Sequence, residues 1–390
     1  MVEPNAGMDA EVFAAFIEQL ERYVRDRLIP AEPEVIANEA IPEAILAEMR
    51  DMGLFGLTMP EEYGGAGMNI SQYVETIRVL SYALPAYRSI TSINLGMVCS
   101  AIKNSGTEEQ KRHWLPRLAA GEIACFGLTE PGSGSDSAAM QTSAVRRGNG
   151  YVLNGSKRYI TNAPFAKIGL IMARTNREAL PKNAHISAFV VDMDSPGISR
   201  GKSDKKMGQA GSHIADLYFD NVELPGDALV GGEEGRGFAT AMQSLDNGRL
   251  SVAAASAGYG RRILHTALRY ARERKAFGEP IANFQLIQAM LADSEAELYA
   301  SECMIADACA RADRGENVLR KAAAAKMFAS EACGRVADRC VQIHGGAGYL
   351  AEYEAERFYR DARIYRIYEG TTQILQLVIA RNMLREAAAG

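Results

Sequence analysis

Apolar positions recur at helical spacing through the first 120 residues, switch to strand-like alternation between about 123 and 232, and return to helical spacing from about 234. Amphipathic stretches around 10–28, 42–53 and 71–84 predict N-terminal helices. They are separated by Pro30, Pro33, Pro42 and the glycine-rich run Tyr63-Gly64-Gly65-Ala66-Gly67. Thr107-Glu108-Glu109-Gln110 forms a capping box that opens a helix ending near Gly121. In the middle section, strands are predicted over Gln141 to Arg147, Tyr151-Val152-Leu153, Arg158 to Thr161, Ile168 to Ala173, Ile186 to Val191 and Ile214 to Phe219. Asn149-Gly150 and Asn154-Gly155 read as turns between strands, and residues 175–185 as a loop. In the last section Leu291, Leu298 and Ile305 repeat every seven residues on one helix stripe, and Ala322-Ala323-Ala324-Ala325 suits close helix packing. The order helical, β, helical divides the chain into 1–122, 123–233 and 234–390, with no internal repeat.

A chain of 390 residues exceeds one ordinary core, and 47% hydrophobic with 23% charged residues describes a globular protein. The net charge of −5 argues against a nucleic-acid partner. No apolar run reaches the roughly 18 residues of a membrane span. The start, Met1-Val2-Glu3-Pro4, has neither a basic region nor an apolar signal segment. Cys99, Cys125, Cys303, Cys309, Cys333 and Cys340 are scattered, which suits a cytoplasmic protein without disulfides. Neither they nor the five histidines show metal-ligand spacing.

Candidate chemistry concentrates near the C-terminus, in Arg363-Ile364-Tyr365-Arg366-Ile367-Tyr368-Glu369-Gly370-Thr371-Thr372-Gln373-Ile374. A carboxyl among apolar groups has its charged form disfavoured, so its pKa rises toward the range a general base needs at neutral pH. The same segment also fits a surface glutamate ahead of a helix capped by Thr371 or Thr372. Phe126-Gly127-Leu128-Thr129-Glu130-Pro131-Gly132-Ser133-Gly134-Ser135-Asp136 ends a strand and opens a loop of backbone N–H groups and hydroxyls. It suits a flat polar ring or a phosphate, or an ordinary Gly/Ser turn. Tyr159-Ile160-Thr161 follows on a neighbouring strand. Arg272 to Ile281 with Phe284-Gln285 joins two helices, and Gln342-Ile343-His344-Gly345-Gly346-Ala347-Gly348-Tyr349 ends another. The last is either a glycine cap or a place where a dinucleotide lies close.

In this order and spacing, with Leu54–Gly67 and Gly106–Leu115 added, the motifs resemble the acyl-CoA dehydrogenase family over essentially the whole chain. The resemblance is to its general fatty acyl-CoA dehydrogenases, which act in fatty acid β-oxidation. It implies an α+β fold with an N-terminal helical domain, a middle β-barrel and a C-terminal four-helix bundle, assembled as a homotetramer that is a dimer of dimers. It implies FAD as cofactor. Phe126, Leu128, Thr129, Gly134 and Ser135 match the loop that meets the flavin ring, and Tyr159 and Thr161 the strand behind it. The family usually has Trp at the position of Tyr159. Arg274, Phe277, Gln285, Gln342, Gly345 and Gly346 match contacts to FAD across a subunit interface. Thr371 and Gln373 match contacts on its adenosine side. Ser135, Asp246, Arg249, Tyr368 and Gly370 match positions beside the acyl-CoA substrate.

Glu369 matches the family's catalytic base. Some members carry the base instead at the position of Gly248, with a non-acidic residue where Glu369 stands. The implied reaction removes the α-proton of an acyl-CoA thioester to Glu369 and a β-hydride to the flavin. It gives a trans-2-enoyl-CoA, with electrons passed on to an electron-transferring flavoprotein. Arg88, in Tyr87-Arg88-Ser89, matches the arginine with which glutaryl-CoA dehydrogenases hold a distal carboxylate, although the acidic partner expected seven residues earlier is Ser81 here. Otherwise Arg88 pairs with a structural carboxylate or faces solvent. A desulfinase on the same fold lacks the base at position 369, and an oxygen-using acyl-CoA oxidase is a longer chain. A flavin-binding scaffold without activity has no need of Glu369.

Overall fold

The computed structural model describes residues 7–176, 178 and 185–389, with the side chains of Asp246, Asn247 and Ala389 outside the description. Seven helices come first: α1 Ala10–Tyr23, α2 Ile29–Asn38, α3 Glu43–Asp51, α4 Ile70–Leu80, α5 Pro85–Ser92, α6 Ser100–Ser105 and α7 Glu108–Ala119. The capping box at α7 forms as expected, Thr107 accepting from Gln110 N while the Gln110 side chain accepts from Thr107 N. Pro42 precedes α3 as predicted. Pro30 and Pro33, by contrast, do not break the chain. They lie within α2, joined to α1 through a π-helical segment Val24–Leu28. Pro30 falls in the first turn after that segment, where a missing N–H is tolerated. A second π segment, Ile93–Cys99, links α5 to α6.

The middle section supplies β1 Ala124–Gly127, β2 Ser143–Arg147, β3 Gly150–Thr161, β4 Ile168–Arg174, β5 Ile186–Asp192, β6 Ile198–Arg200 and β7 Ile214–Leu224. They form one seven-stranded half-barrel sheet in the order β1-β4-β2-β3-β7-β6, with β5 on β4. Two turn expectations are corrected. The first hairpin turns at Gly148-Asn149, one residue early, because Arg147 pairs with Gly150. Asn154-Gly155 is no turn but a register shift inside β3. Gly155 takes φ 139°, and a Cβ there would come within 2.7 Å of Thr142 Cα, so only glycine lets the strands close. At three residues, β6 is too short to show an alternating pattern. Residues 177 and 179–184 of the expected loop lie outside the described residues.

The final section holds α8 Gly237–Glu273, α9 Gln285–Asp313, α10 Leu319–His344, α11 Glu354–Ala362 and α12 Thr372–Ala389, with a two-stranded β8 Lys275–Ala276 and β9 Glu279–Pro280 between α8 and α9. One apolar core runs from the N-terminal helices into α8, α9 and α10, so the two helical sections share an interior. Leu298 and Ile305 of the heptad stripe lie in it, with Leu291 packed at its edge. Glu32 of α2 ties the sections electrostatically. Its carboxylate accepts from Arg262 of α8, at 2.8 Å for Nη2, and from Leu84 N at 2.8 Å. That last bond fixes the start of α5, the helix that presents Arg88.

Candidate active site

Glu369 lies in the short connection between α11 and α12, and its side chain is 12% exposed. The surface-glutamate alternative is therefore excluded, although Thr371 does cap α12 by accepting from Ile374 N at 3.3 Å. Glu369 has φ 53° and Gly370 φ 96°, two successive left-handed residues that swing the carboxylate inward. Burial pushes its pKa above the ordinary carboxylate range, against the opposing pull of Arg88, Lys326 and Arg249. Its Oε2 is buried and accepts no hydrogen bond among the described residues.

Gly248 of α8 faces this carboxylate at van der Waals contact. A Cβ at 248 would collide with Glu369 Oε2 and come within 2.8 Å of Met97 Cε. The two alternative base positions thus occupy one space, and here glycine at 248 makes room for Glu369. Arg249, the next residue, is buried. The side chain of Asp246 lies outside the described residues.

Arg88 does not face solvent; it is 4% exposed. Its Nη2 donates to Ser251 Oγ at 2.9 Å, and its Nη1 lies 3.5 Å from the Tyr368 hydroxyl. Tyr73 also donates to Ser251 Oγ, at 3.1 Å. The carboxylate nearest Arg88 is Glu369 itself, with Nη2 4.0 Å from Oε1. Arg88 Nε has no acceptor among the described residues, and neither does Ser81 Oγ. A guanidinium and three hydroxyls therefore gather next to the buried carboxylate.

The loop after β1 is anchored from beneath. Lys157 of β3 is fully buried, and its Nζ donates to Glu130 Oε1 at 2.7 Å and to Leu128 O at 3.4 Å. Glu130 also accepts from Gln141 N at 2.5 Å and Thr142 N at 3.0 Å. Burial pushes the Lys157 pKa down to about 8, with Glu130 opposing. This pair holds both ends of the 128–142 loop and leaves Gly134 and Ser135 exposed at its tip. Arg158 N donates to Thr129 O at 2.9 Å, which joins the loop to β3. Tyr159 is 57% exposed in a left-handed conformation, φ 59°, with the Arg158 guanidinium 4.9 Å from its ring centre. Phe126 and Thr161 in the sheet, and Thr129 in the loop after β1, are half-buried nearby. The sequence pattern singles out neither Lys157 nor Glu130. Glu130 was visible inside the loop motif, but its partner is 27 residues away on the inner face of a strand.

Arg274, Phe277, Gln285, Gln342, Gly345 and Gly346 lie at one end of the helical bundle. Tyr270, near the end of α8, stacks on His344 at the end of α10, ring centres 4.0 Å apart. That contact places Arg274 and Phe277 at the same end as Gln342, Gly345 and Gly346. Phe277 is 97% exposed with φ 54°, edge-on to Phe284, and Gln285 is exposed beside it. Gln373 is exposed on the first turn of α12. Within one protomer Arg274, Phe277, Gln285, Gln342, Gly345 and Gly346 are not gathered around Glu369, whereas Thr371 and Gln373 follow it closely in the chain.

Sequence models of the acyl-CoA dehydrogenase N-terminal domain, middle domain and C-terminal domain match residues 11–122, 125–222 and 235–384. The chain belongs to the acyl-CoA dehydrogenase family. It is 38% identical over 376 residues to the short-chain specific acyl-CoA dehydrogenase, mitochondrial, of Homo sapiens, covering 96% of this chain and 90% of that one. It is 39% identical over 377 residues to the caffeyl-CoA reductase-Etf complex subunit CarC of Acetobacterium woodii, covering 95% and 98%. Its fold superposes on butyryl-CoA dehydrogenase from Megasphaera elsdenii with a TM-score of 0.92 at 33% identity, covering 96% and 99% of the two chains. As an acyl-CoA dehydrogenase the chain is an oxidoreductase. No helix among the described residues is long and apolar enough to cross a membrane.

Proposed function

We propose that this acyl-CoA dehydrogenase converts a short- or medium-chain fatty acyl-CoA to its trans-2-enoyl-CoA in the cytoplasm, as an FAD-loaded homotetramer that passes electrons to an electron-transferring flavoprotein. The observation that carries the reading is Glu369: a buried carboxylate with one oxygen unbonded, its pKa raised, placed where glycine at 248 leaves it space. The domains are taken as 1–122, 123–233 and 234–390.

The residues present fit FAD. A Cβ at Gly132, Gly134, Gly345 or Gly346 would meet nothing, so these loops are open to a large ligand. The exposed Tyr159 ring offers a flat wall, and Thr129, Ser135 and Thr161 offer hydroxyls to a polar ring. Phe126 and Leu128 border that ring, and Gln342 with Arg274, Phe277 and Gln285 would hold the diphosphate and adenine across an interface. Thr371 and Gln373 would hold the adenosine side. Exposed Phe277, Leu286 and Tyr349 at that end of the bundle support an assembly that covers them. When bound, FAD supplies the acceptor for the β-hydrogen, which leaves the substrate as hydride.

The chain's own work is proton removal. Glu369 takes the α-proton on its unbonded Oε2. Ser135, Arg249, Tyr368 and Gly370 lie along the bound acyl-CoA, with Asp246 on the same helix as Arg249. Burial excludes water, so the charge developing on the thioester oxygen is met by fixed dipoles, the backbone N–H of Glu369 being the proposed donor. Arg88, Ser251, Tyr73 and Tyr368 close the space beside the base, which favours short chains.

A second reading, a carboxylated substrate such as glutaryl-CoA, is favoured by the incompletely bonded guanidinium of Arg88. Anaerobic titration of the yellow protein with butyryl-, octanoyl- and glutaryl-CoA separates the two. Bleaching by butyryl-CoA at the lowest concentration supports the first reading. Bleaching by glutaryl-CoA alone, abolished in Arg88→Met, would replace it with the second. No bleaching by any thioester would remove both.

A further inference from the structure

Helix α10 grips the segment that carries Glu369 from one face. Lys326 Nζ donates to Gly370 O at 2.8 Å. Five residues further along, Glu331 Oε1 accepts from Thr372 Oγ1 at 2.7 Å, and Glu331 Oε2 lies 2.9 Å from Arg366 Nε. The Arg366 side chain crosses α10 at Gly334, 3.6 Å from where a Cβ would stand. Residues 366, 370 and 372 are thus fixed on both sides of Glu369.

The grip matters because the turn it holds is a disfavoured one. A left-handed conformation at a residue with a side chain persists only where its surroundings over-determine it. Lys326 is the buried member of the grip, with no exposed surface, and among the described residues Gly370 O is the one hydrogen-bond acceptor of its Nζ. A buried ammonium with so few partners is costly. A purely structural role does not account for it.

We propose that Lys326 is a positioning residue for proton removal: its ammonium holds the Gly370 carbonyl, and with it the left-handed turn at Glu369, and its charge keeps the buried carboxylate ionised. This rests on Glu369 being the base. The groups that face Glu369 are Arg88 from α5, Arg249 from α8, Lys326 from α10, Tyr73 from α4 and the adjoining Tyr368. Arg88 approaches Oε1 directly, whereas Lys326 acts through the next peptide. Burial pushes the Lys326 pKa down to about 8, with Glu369 pulling it back up, so the two charges sustain each other.

The test is the pH dependence of anaerobic flavin reduction by butyryl-CoA in the wild type, Lys326→Met, Lys326→Gln and Lys326→Arg, with melting temperature measured on each. The base must be ionised to act, so the rate falls on the acid side, and losing a nearby cation raises the pKa of the base. Lys326→Met should shift the acid limb upward by about one unit and lower the plateau by about 10- to 100-fold through a looser turn. Lys326→Gln, which keeps a donor for Gly370 O, should show the same shift with a smaller plateau loss. Lys326→Arg, which keeps the charge, should leave the limb in place. An unmoved limb in folded Lys326→Met or Lys326→Gln would overturn the proposal whatever the rate, and so would failure of both to fold. Glu369→Gln in the same assay separates the two claims. If it reduced flavin at the wild-type rate, the base assignment itself would fail. If it were inactive while the Lys326 limb stayed put, only the role of Lys326 would fall.

Discussion

Two buried ion pairs in this chain are built to opposite specifications. Glu130 and Lys157 sit 2.7 Å apart, and the carboxylate also accepts two backbone N–H groups. Glu369 and Arg88 stand 4.0 Å apart, and each keeps a buried polar atom without a hydrogen bond among the described residues. The first pair has its bonding satisfied and pins a loop. In the second the carboxylate is left able to accept a proton. A charge taken out of water costs free energy unless its partners replace the lost hydration. Where they do, as at Glu130, the carboxyl pKa is held below its ordinary value although burial alone would raise it. Where they do not, as at Glu369, it is raised. Distance and hydrogen-bond count, more than burial, distinguish scaffold from chemistry here.

Substitutions can break this contrast from either side. The largest effect is expected at Glu369. Glu369→Gln keeps the shape and removes the proton acceptor, so flavin reduction by butyryl-CoA should fall by about 10²- to 10⁴-fold with little change in melting temperature. Stopped-flow absorbance and circular dichroism read the two quantities. Lys157→Met should do the reverse. It strands Glu130 in the interior and should cost about 3–5 kcal/mol of stability in chemical denaturation, while the protein that stays folded keeps its base. If Lys157→Met melted like the wild type, the satisfied pair would not be the scaffold described. The smallest effect is expected at Arg88. Arg88→Met removes a partner that stands 4.0 Å from Glu369, and the stranded carboxyl, its pKa already raised, can take up a proton, so the loss should be well below the about 3–5 kcal/mol of breaking a close buried pair. A loss of stability as large as that of Lys157→Met would erase the distinction between the pairs.

The sequence makes the outer layer of this design legible. Glu369 stands out because it is an acid in an aromatic and apolar run followed by glycine, and the loop after Phe126 because glycine and serine alternate there. The helical, β, helical order follows from a change in periodicity that survives local errors. The errors have physical causes. Pro30 and Pro33 read as breaks, but a π-helical segment carries the chain into α2. Asn154-Gly155 read as a turn, but its glycine serves a close approach within one strand. What stayed hidden is the layer behind the site. Lys326 sits in an alanine-rich helix and looks like a surface lysine until the fold brings Gly370 to it. Lys157 and Glu130 are separated by 27 residues and meet only through the sheet register. Arg88 is legible from its Tyr87-Arg88-Ser89 segment, yet its neighbours come from α4, α8 and the Glu369 turn, which no local pattern predicts.

The central claim is that Glu369 removes the α-proton, and exchange of that proton with solvent tests it most directly. Butyryl-CoA incubated anaerobically with the protein in deuterium oxide and analysed by mass spectrometry should gain deuterium at the α-carbon with the wild type, and only at the uncatalysed rate with Glu369→Gln. Wild-type exchange by Glu369→Gln, with its fold intact, would contradict the account.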